Sequence, residues 1–201
     1  MTKTAISQHQ LAQLAARFSE AVARQDWTHA LEAADSLVAA LPGHAGVVYN
    51  KALVLKELGR GPERIATLRE ALKAAPDHAN ARFELASALM DAGDLAEAAK
   101  LFEAYLSQVP DDTDARLNLG QCLLRLDRPG DALEPLRAAH AGAPGLATAA
   151  ALASALRDTG HLAAAKALLA DLPSTPEAAA LRLKILTQGA RGRIALSAAR
   201  L

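Results

Sequence analysis

The sequence predicts an all-α protein built as a solenoid of stacked helix–turn–helix pairs, and three observations carry that expectation. Hydrophobic residues make up 51% of the 201-residue chain but aromatic residues only 3%. Ala and Leu, both strong helix formers, therefore supply the apolar fraction, while the β-branched and aromatic residues of strands are scarce. Second, Pro42, Pro76, Pro110 and Pro144 are spaced by 34, 34 and 34 residues; nine prolines in a chain of this length do not meet three preset positions by accident. Third, residues of one size recur at the same step. Ala52, Ala86 and Gly120 form a small column, as do Ala30, Ala98 and Ala132, while Leu55, Leu89 and Leu123 and then Leu68, Phe102 and Leu136 form large ones.

The elements follow in order. Repeats are expected over about 11–44, 45–78, 79–112, 113–145 and 146–172. The inner helix of the first fits poorly, with Phe18 where a small residue belongs, as befits an atypical end unit. In the second, Gly59 marks the turn between helices and Pro62 falls in a first turn, where proline is tolerated. Arg64 replaces the small residue of its column; its stem is expected to pack while the guanidinium escapes to solvent. In the third, Phe83, Leu85, Ala86, Leu89 and Met90 recur at helical spacing. Gly93 and Asp94 end that helix and cap the next, which carries Leu95, Ala98, Ala99, Phe102, Tyr105 and Leu106 up to the stop at Pro110. Tyr105 stands in the column of Ala71 and Ala139 and needs room.

Asp111, Asp112 and Thr113 are candidate caps for the fourth repeat, Pro129 opens its second helix, and Pro135 inside that helix is expected to kink it. The fifth keeps Leu152, Ala153, Leu156, Gly160, Leu162, Ala165 and Leu169, is one residue short before Gly160, and is cut off by Pro173. A helix over about 176–188, started by Ser174, Thr175 and Pro176, offers Leu181, Leu183, Ile185 and Leu186 to cover the last pair, because a terminal repeat needs a lid. Residues 189–201 read as a basic tail, a short helix or a loose end. With residues 1–188 forming one solenoid, a single domain is expected.

The small columns have a physical reason. Where two helices of a pair cross, Ala or Gly lets their axes approach to about 8–9 Å, whereas Leu would hold them apart. Such a pair cannot bury its apolar face alone and must stack on the next. The period, Leu119-Gly120 followed by Leu123, Ala132 followed by Leu136 and Ala139, and the closing Pro144 together resemble the tetratricopeptide repeat. The resemblance covers roughly residues 8–172. It implies a right-handed superhelical solenoid, is specific for fold, and says little of a partner.

Composition and motifs narrow the function. Lys plus Arg is 22 and Asp plus Glu is 22, so nothing draws the whole chain to nucleic acid. After Glu177, however, there is no acid, while Arg182, Lys184, Arg191, Arg193 and Arg200 follow. Cys122, the sole cysteine, excludes an internal disulfide, suits a reducing compartment, and reads as a buried small hydrophobe. The first ten residues carry no signal-peptide pattern, and no apolar run is long enough to span a membrane. A cytoplasmic location is expected, and the abundance of Ala and Arg suggests a bacterial origin. The six histidines show no i, i+4 pair and no ligand spacing; His44 and His78, in equivalent loops, read as exposed loop residues rather than metal ligands. Without GxSxG, a P-loop or a strand-associated GxGxxG, no catalytic residue, metal site or cofactor is expected.

The resemblance also implies where binding occurs. In tetratricopeptide proteins the first helix of each pair lines a concave groove that takes a peptide or helix of another protein. Carried over, the groove comprises Tyr49, Asn50, Leu53 and Lys56 from the second repeat. Phe83, Glu84, Ser87 and Met90 come from the third; Leu117, Asn118, Gln121 and Arg125 from the fourth; and Arg157 from the fifth. Asn and Gln bond a peptide backbone in either sense, and Tyr49, Phe83 and Met90 supply contact area. Chaperone-type members grip a C-terminal carboxylate with Lys, Asn and Arg. Here Ala15, Ser19, Asn80 and Glu84 stand at those places and only Asn50 matches, so that mode is not expected. The leading expectation is a non-catalytic adaptor or scaffold. The alternatives are a substrate-presenting module of a larger sulfotransferase- or glycosyltransferase-like enzyme, and a chaperone for one client.

Overall fold

The computed structural model describes residues 7–189 and 192–193, and among them the chain is a succession of eleven helices. The chain divides into two compact units between Ala92 and Gly93. The first holds α1 (Gln8–Ala23), α2 (Trp27–Ala40), α3 (Ala45–Glu57), α4 (Gly61–Ala74) and α5 (Ala79–Ala92). The second holds α6 (Leu95–Leu106), α7 (Thr113–Arg125), α8 (Pro129–Gly142), α9 (Leu146–Asp158), α10 (Leu162–Ala170) and α11 (Pro176–Thr187). Within each unit every helix packs on its sequence neighbours as far as α10, and in the second unit α9 also touches α7 and α11. This is the all-α, pair-on-pair architecture that the 34-residue step predicts.

Local chemistry sets the helix starts. Ser7 and Gln10 form a reciprocal capping box at α1. Asp26 caps α2, and Asp94 and Asp112 accept N–H bonds at the starts of α6 and α7. His44 and His78 turn out to be caps as well: the Nδ1 of each accepts the backbone N–H three residues on, from Val47 at 3.3 Å and Ala81 at 3.2 Å. Pro129 opens α8, and α8 runs on through Pro135 to Gly142. A left-handed residue joins the two helices of each pair: Gln25, Gly59, Gly93, Asp127 and Gly160, with φ of 56°, 67°, 88°, 57° and 86°. The first four are 34 residues apart and the fifth arrives one residue early.

The repeat columns form the core. Leu55 and Leu68 are fully buried in the first unit, and Phe102, Leu136 and Leu169 in the second. The small columns are buried with them: Ala30, Ala52, Ala71 and Ala86, then Ala98, Gly120, Ala132 and Ala139. Gly120 lies so close to Leu136 that a Cβ there would meet its Cγ and Cδ2 at 2.3 Å. Phe18, the misfit of the first repeat, is half-buried against Ala21, Ala30 and Val54 beside Trp27 and Leu31.

Three expectations need correction. The Arg64 guanidinium does not reach solvent: its side chain is 6% exposed and pairs with Glu84, because that carboxylate comes to lie over the column. Leu183 does not cover the last pair. It is 67% exposed, and Ala178 and Ile185 are the residues of α11 that bury themselves, with Leu181 and Leu186 half-covered. Past α11, β1 (Gln188–Gly189) pairs antiparallel with β2 (Gly192–Arg193), a two-residue ladder in place of more helix or a loose end; Gly189 and Gly192 resist helix. The rest of the basic tail expected at 189–201 lies outside the described residues.

Candidate functional site

In the first unit, α3 and α5 carry the residues expected on the groove. Tyr49, Leu53, Phe83, Ser87 and Met90 are half-buried and Asn50 is exposed. The Tyr49 ring lies against that of His78, with centroids 4.9 Å apart, and burial, then the Glu84 charge, pushes its phenol up. Glu84 is the electrostatic centre of this face. Lys56 Nζ donates to both its oxygens at 3.1 and 3.2 Å, and Arg64 Nη2 donates to the carboxylate and, at 3.1 Å, to the backbone carbonyl of the same residue. Asp91 stands 3.7 Å from Arg64 Nη1. Lys56 and Glu84, both expected to face a partner, neutralise each other. Arg64 Nε is left buried without a hydrogen-bond partner, beside a cleft of about 780 Å³ lined by Gly61, Pro62, Ile65, Ala88 and Ala92.

In the second unit, Leu117, Asn118 and Gln121 are half-buried on α7 and Arg125 is exposed. Arg157 has become structural. Its side chain is 9% exposed, bonds Asp158 through Nε and Nη2 at 2.7 and 2.9 Å, and donates from Nη1 to the Ile185 carbonyl at 2.7 Å. Arg182 fixes the other side of α11 by donating to the carbonyls of Leu169, at 2.7 Å, and Leu172. These anchors place α11 beside α9, as α9 lies beside α7. Between the three opens a hollow of about 500 Å³. Its wall includes Gln121, Leu124 and Arg125 of α7, Ala147, Ala150, Ala151 and Ser154 of α9, and Leu181, Lys184 and Ile185 of α11.

Ala147, Ala150 and Ala151 of α9 and Leu181, Lys184 and Ile185 of α11 fall outside the groove read from the sequence. Ala147, Ala150, Ala151 and Ser154, small and at helical spacing, were a usable signal for a recess along α9. Nothing comparable announced that α11 would join the same row. Cys122, also on α7, is fully buried, and burial raises its thiol against the opposing pull of Arg125. Among the described residues no group of three or more His, Cys, Asp or Glu is placed to hold a metal. The α3–α5 face thus carries aromatic and amide groups, and the α7–α9–α11 face amide and cationic ones.

Comparison with known proteins agrees with this fold. The tetratricopeptide repeat profile matches residues 15–79, 49–113 and 83–147 in overlapping registers. No curated protein sequence matches the chain. Among solved structures, a crystal structure of MamA superposes with a TM-score of 0.75 at 16% identity, covering 93% of this chain and 97% of that one. MamA from Desulfovibrio magneticus RS-1, residue 41 to its end, gives 0.76 at 15% identity over 87% and 96%. YrrB, described as a tetratricopeptide protein with an unusual peptide-binding site, gives 0.74 at 17% identity over 83% and 86%. At these identities the likeness is one of fold.

Proposed function

The chain belongs to the tetratricopeptide repeat family, and from that premise we propose that it is a non-catalytic adaptor whose inner helices receive a peptide or helical segment of another protein. The observation that carries this reading is the character of the faces of α3 with α5 and of α7 with α9. The first presents half-buried Tyr49, Phe83 and Met90 with exposed Asn50, and the second half-buried Asn118 and Gln121, contact area and amides suited to a backbone with no strand of its own. The peptide-binding site ascribed to YrrB supports it by analogy of fold. The adaptor works without cofactor or metal. Among the described residues no helix is long and apolar enough to cross a membrane, and we place the protein in the cytoplasm.

Affinity capture with the wild-type chain and a Tyr49→Ala/Phe83→Ala/Asn118→Ala variant tests the proposal. The variant, checked for native helicity, is expected to lose the specific partners of the wild type. Equal capture by both overturns it.

A further inference from the structure

We propose that the cleft between α4 and α5 holds an uncharged, apolar peptide segment of a partner, one of whose carbonyl oxygens accepts a hydrogen bond from Arg64 Nε. The inference rests on the adaptor reading, which makes the occupant a protein, but it adds a second site. Of the cleft wall only Lys56 belongs to the groove read from the sequence. The Arg64 side chain is 6% exposed. Its Nη2 is answered twice, by the carboxylate and the carbonyl of Glu84. Its Nη1 stands 3.7 Å from Asp91, past hydrogen-bond reach. Its Nε is buried without an acceptor beside the cleft of about 780 Å³. A donor closed off in this way has lost water and gained nothing in return, which folded chains rarely tolerate. An acceptor brought by a partner completes it.

Charge and apolar surface select what carries that acceptor. Lys56 and Arg64 share the Glu84 carboxylate, and Asp91 adds a second negative charge. Arg69, the remaining cation of the wall, is engaged as well. The wall therefore does not call for an anion. A carboxylate at Nε would share one guanidinium with Glu84 and Asp91 and be repelled by both, while an ammonium group would meet Arg64 itself. A neutral carbonyl meets neither obstacle. Pro62 and Ile65 on α4, with Ala88 and Ala92 on α5, make the rest of the wall apolar, so apolar residues beside the carbonyl fit it. Nε is also closed to water as the wall stands. Water alone does not open it, whereas burial of an apolar flank drives the wall apart.

Proton–nitrogen NMR of the full, isotope-labelled chain tests this by following the Arg64 Nε–H signal, assigned by its absence in Arg64→Lys. That variant keeps a cation beside Glu84 but lacks the donor. The probe is N-acetyl-leucinamide, a single apolar residue between two neutral amide groups. N-acetyl-leucine, leucinamide and N-acetyl-alaninamide replace it by an anion, a cation and a smaller side chain. N-acetyl-leucinamide is expected to move the signal saturably, and each of the other three to bind at least about fivefold more weakly. In Arg64→Lys the backbone amides of Ala88 and Ala92 are expected to stop responding to it. Exposed Ala92→Phe, which fills the cleft from its rim, is expected to keep the Nε–H signal and lose the response. Equal binding of the anion or the cation, no saturable shift, or binding that leaves Nε–H unmoved overturns the proposal. So does exchange of Nε–H with solvent as fast as in exposed arginines, which would show that water already answers it. None of these variants touches Tyr49, Phe83 or Asn118, so failure here leaves the capture test standing. Equal capture by the triple-alanine variant beside a working amide probe would sink the groove instead.

Discussion

At Gly120 an added methyl would sit 2.3 Å from two carbons of Leu136, a side chain that is itself fully buried and has nowhere to swing. Helix propensity alone would favour Ala here by about 1 kcal/mol. Overpacking a closed core costs about 1–3 kcal/mol, and with Cγ as well as Cδ2 obstructed the clash wins. Gly120→Ala is expected to lower the urea midpoint by the equivalent of about 1 kcal/mol; an unchanged or higher midpoint would mean that α7 and α8 part freely. Tyr105 shows the opposite solution, a large residue given room. It is buried, donates its hydroxyl to Asp112 Oδ2 at 2.7 Å, and has its pKa pushed up to about 12, first by burial and then by that hydrogen bond. A raised folded-state pKa means that its contribution is complete below pH about 10 and is lost as pH climbs towards about 12. In a Tyr49→Phe variant, where Tyr105 is the remaining tyrosine, phenolate absorbance is expected to rise well above the pH at which free tyrosine titrates. Titration near that ordinary value would show an open ring.

At the scale of elements, α4 and α5 are joined through a buried ion pair that the repeat pattern did not advertise. Arg64 breaks its column of alanines, and the sequence alone left its guanidinium seeking water. Glu84, 20 residues later, belongs to no column, and only folding sets it over Arg64. Removing the carboxylate leaves the buried cation only the mostly exposed Asp91, 3.7 Å away, and the residue-84 carbonyl, so Glu84→Ala is expected to cost about 3 kcal/mol. Removing Arg64 should cost less, since Lys56 still attends Glu84. Arg64→Ala added to Glu84→Ala then restores the column and regains part of the loss. A double variant no more stable than Glu84→Ala in chemical denaturation would refute the stranded charge. The helix pairs, their small contacts and the proline stops were legible because each repeats at one step. The left-handed turns at Gln25 and Asp127 were partly so: neither residue signals such a turn, but both lie one step from Gly59 or Gly93. The place of α11 was not legible, because anchors such as Arg157 on the Ile185 carbonyl bond the backbone, whose position no residue type encodes.

At the scale of the molecule, stability is a sum of neighbour contacts, so it should vary along the chain. Helix α1 buries only Ala21, whereas α3 buries Val48, Ala52, Val54 and Leu55. Hydrogen exchange is therefore expected to be at least about tenfold faster in α1 than in α3, because opening α1 exposes little apolar surface. Matching rates would show that the first unit opens all at once. The left-handed turns carry a last consequence. The interval before Gly160 is one residue shorter than the others, yet α9 and α10 still pack. Chain length is thus adjustable at the ends of helices and fixed within them. Duplicating or excising a whole 34-residue block at such a junction keeps every remaining helix in phase, whereas a one-residue insertion inside α7 or α8 would rotate all that follows by about 100° and scramble which side chains meet.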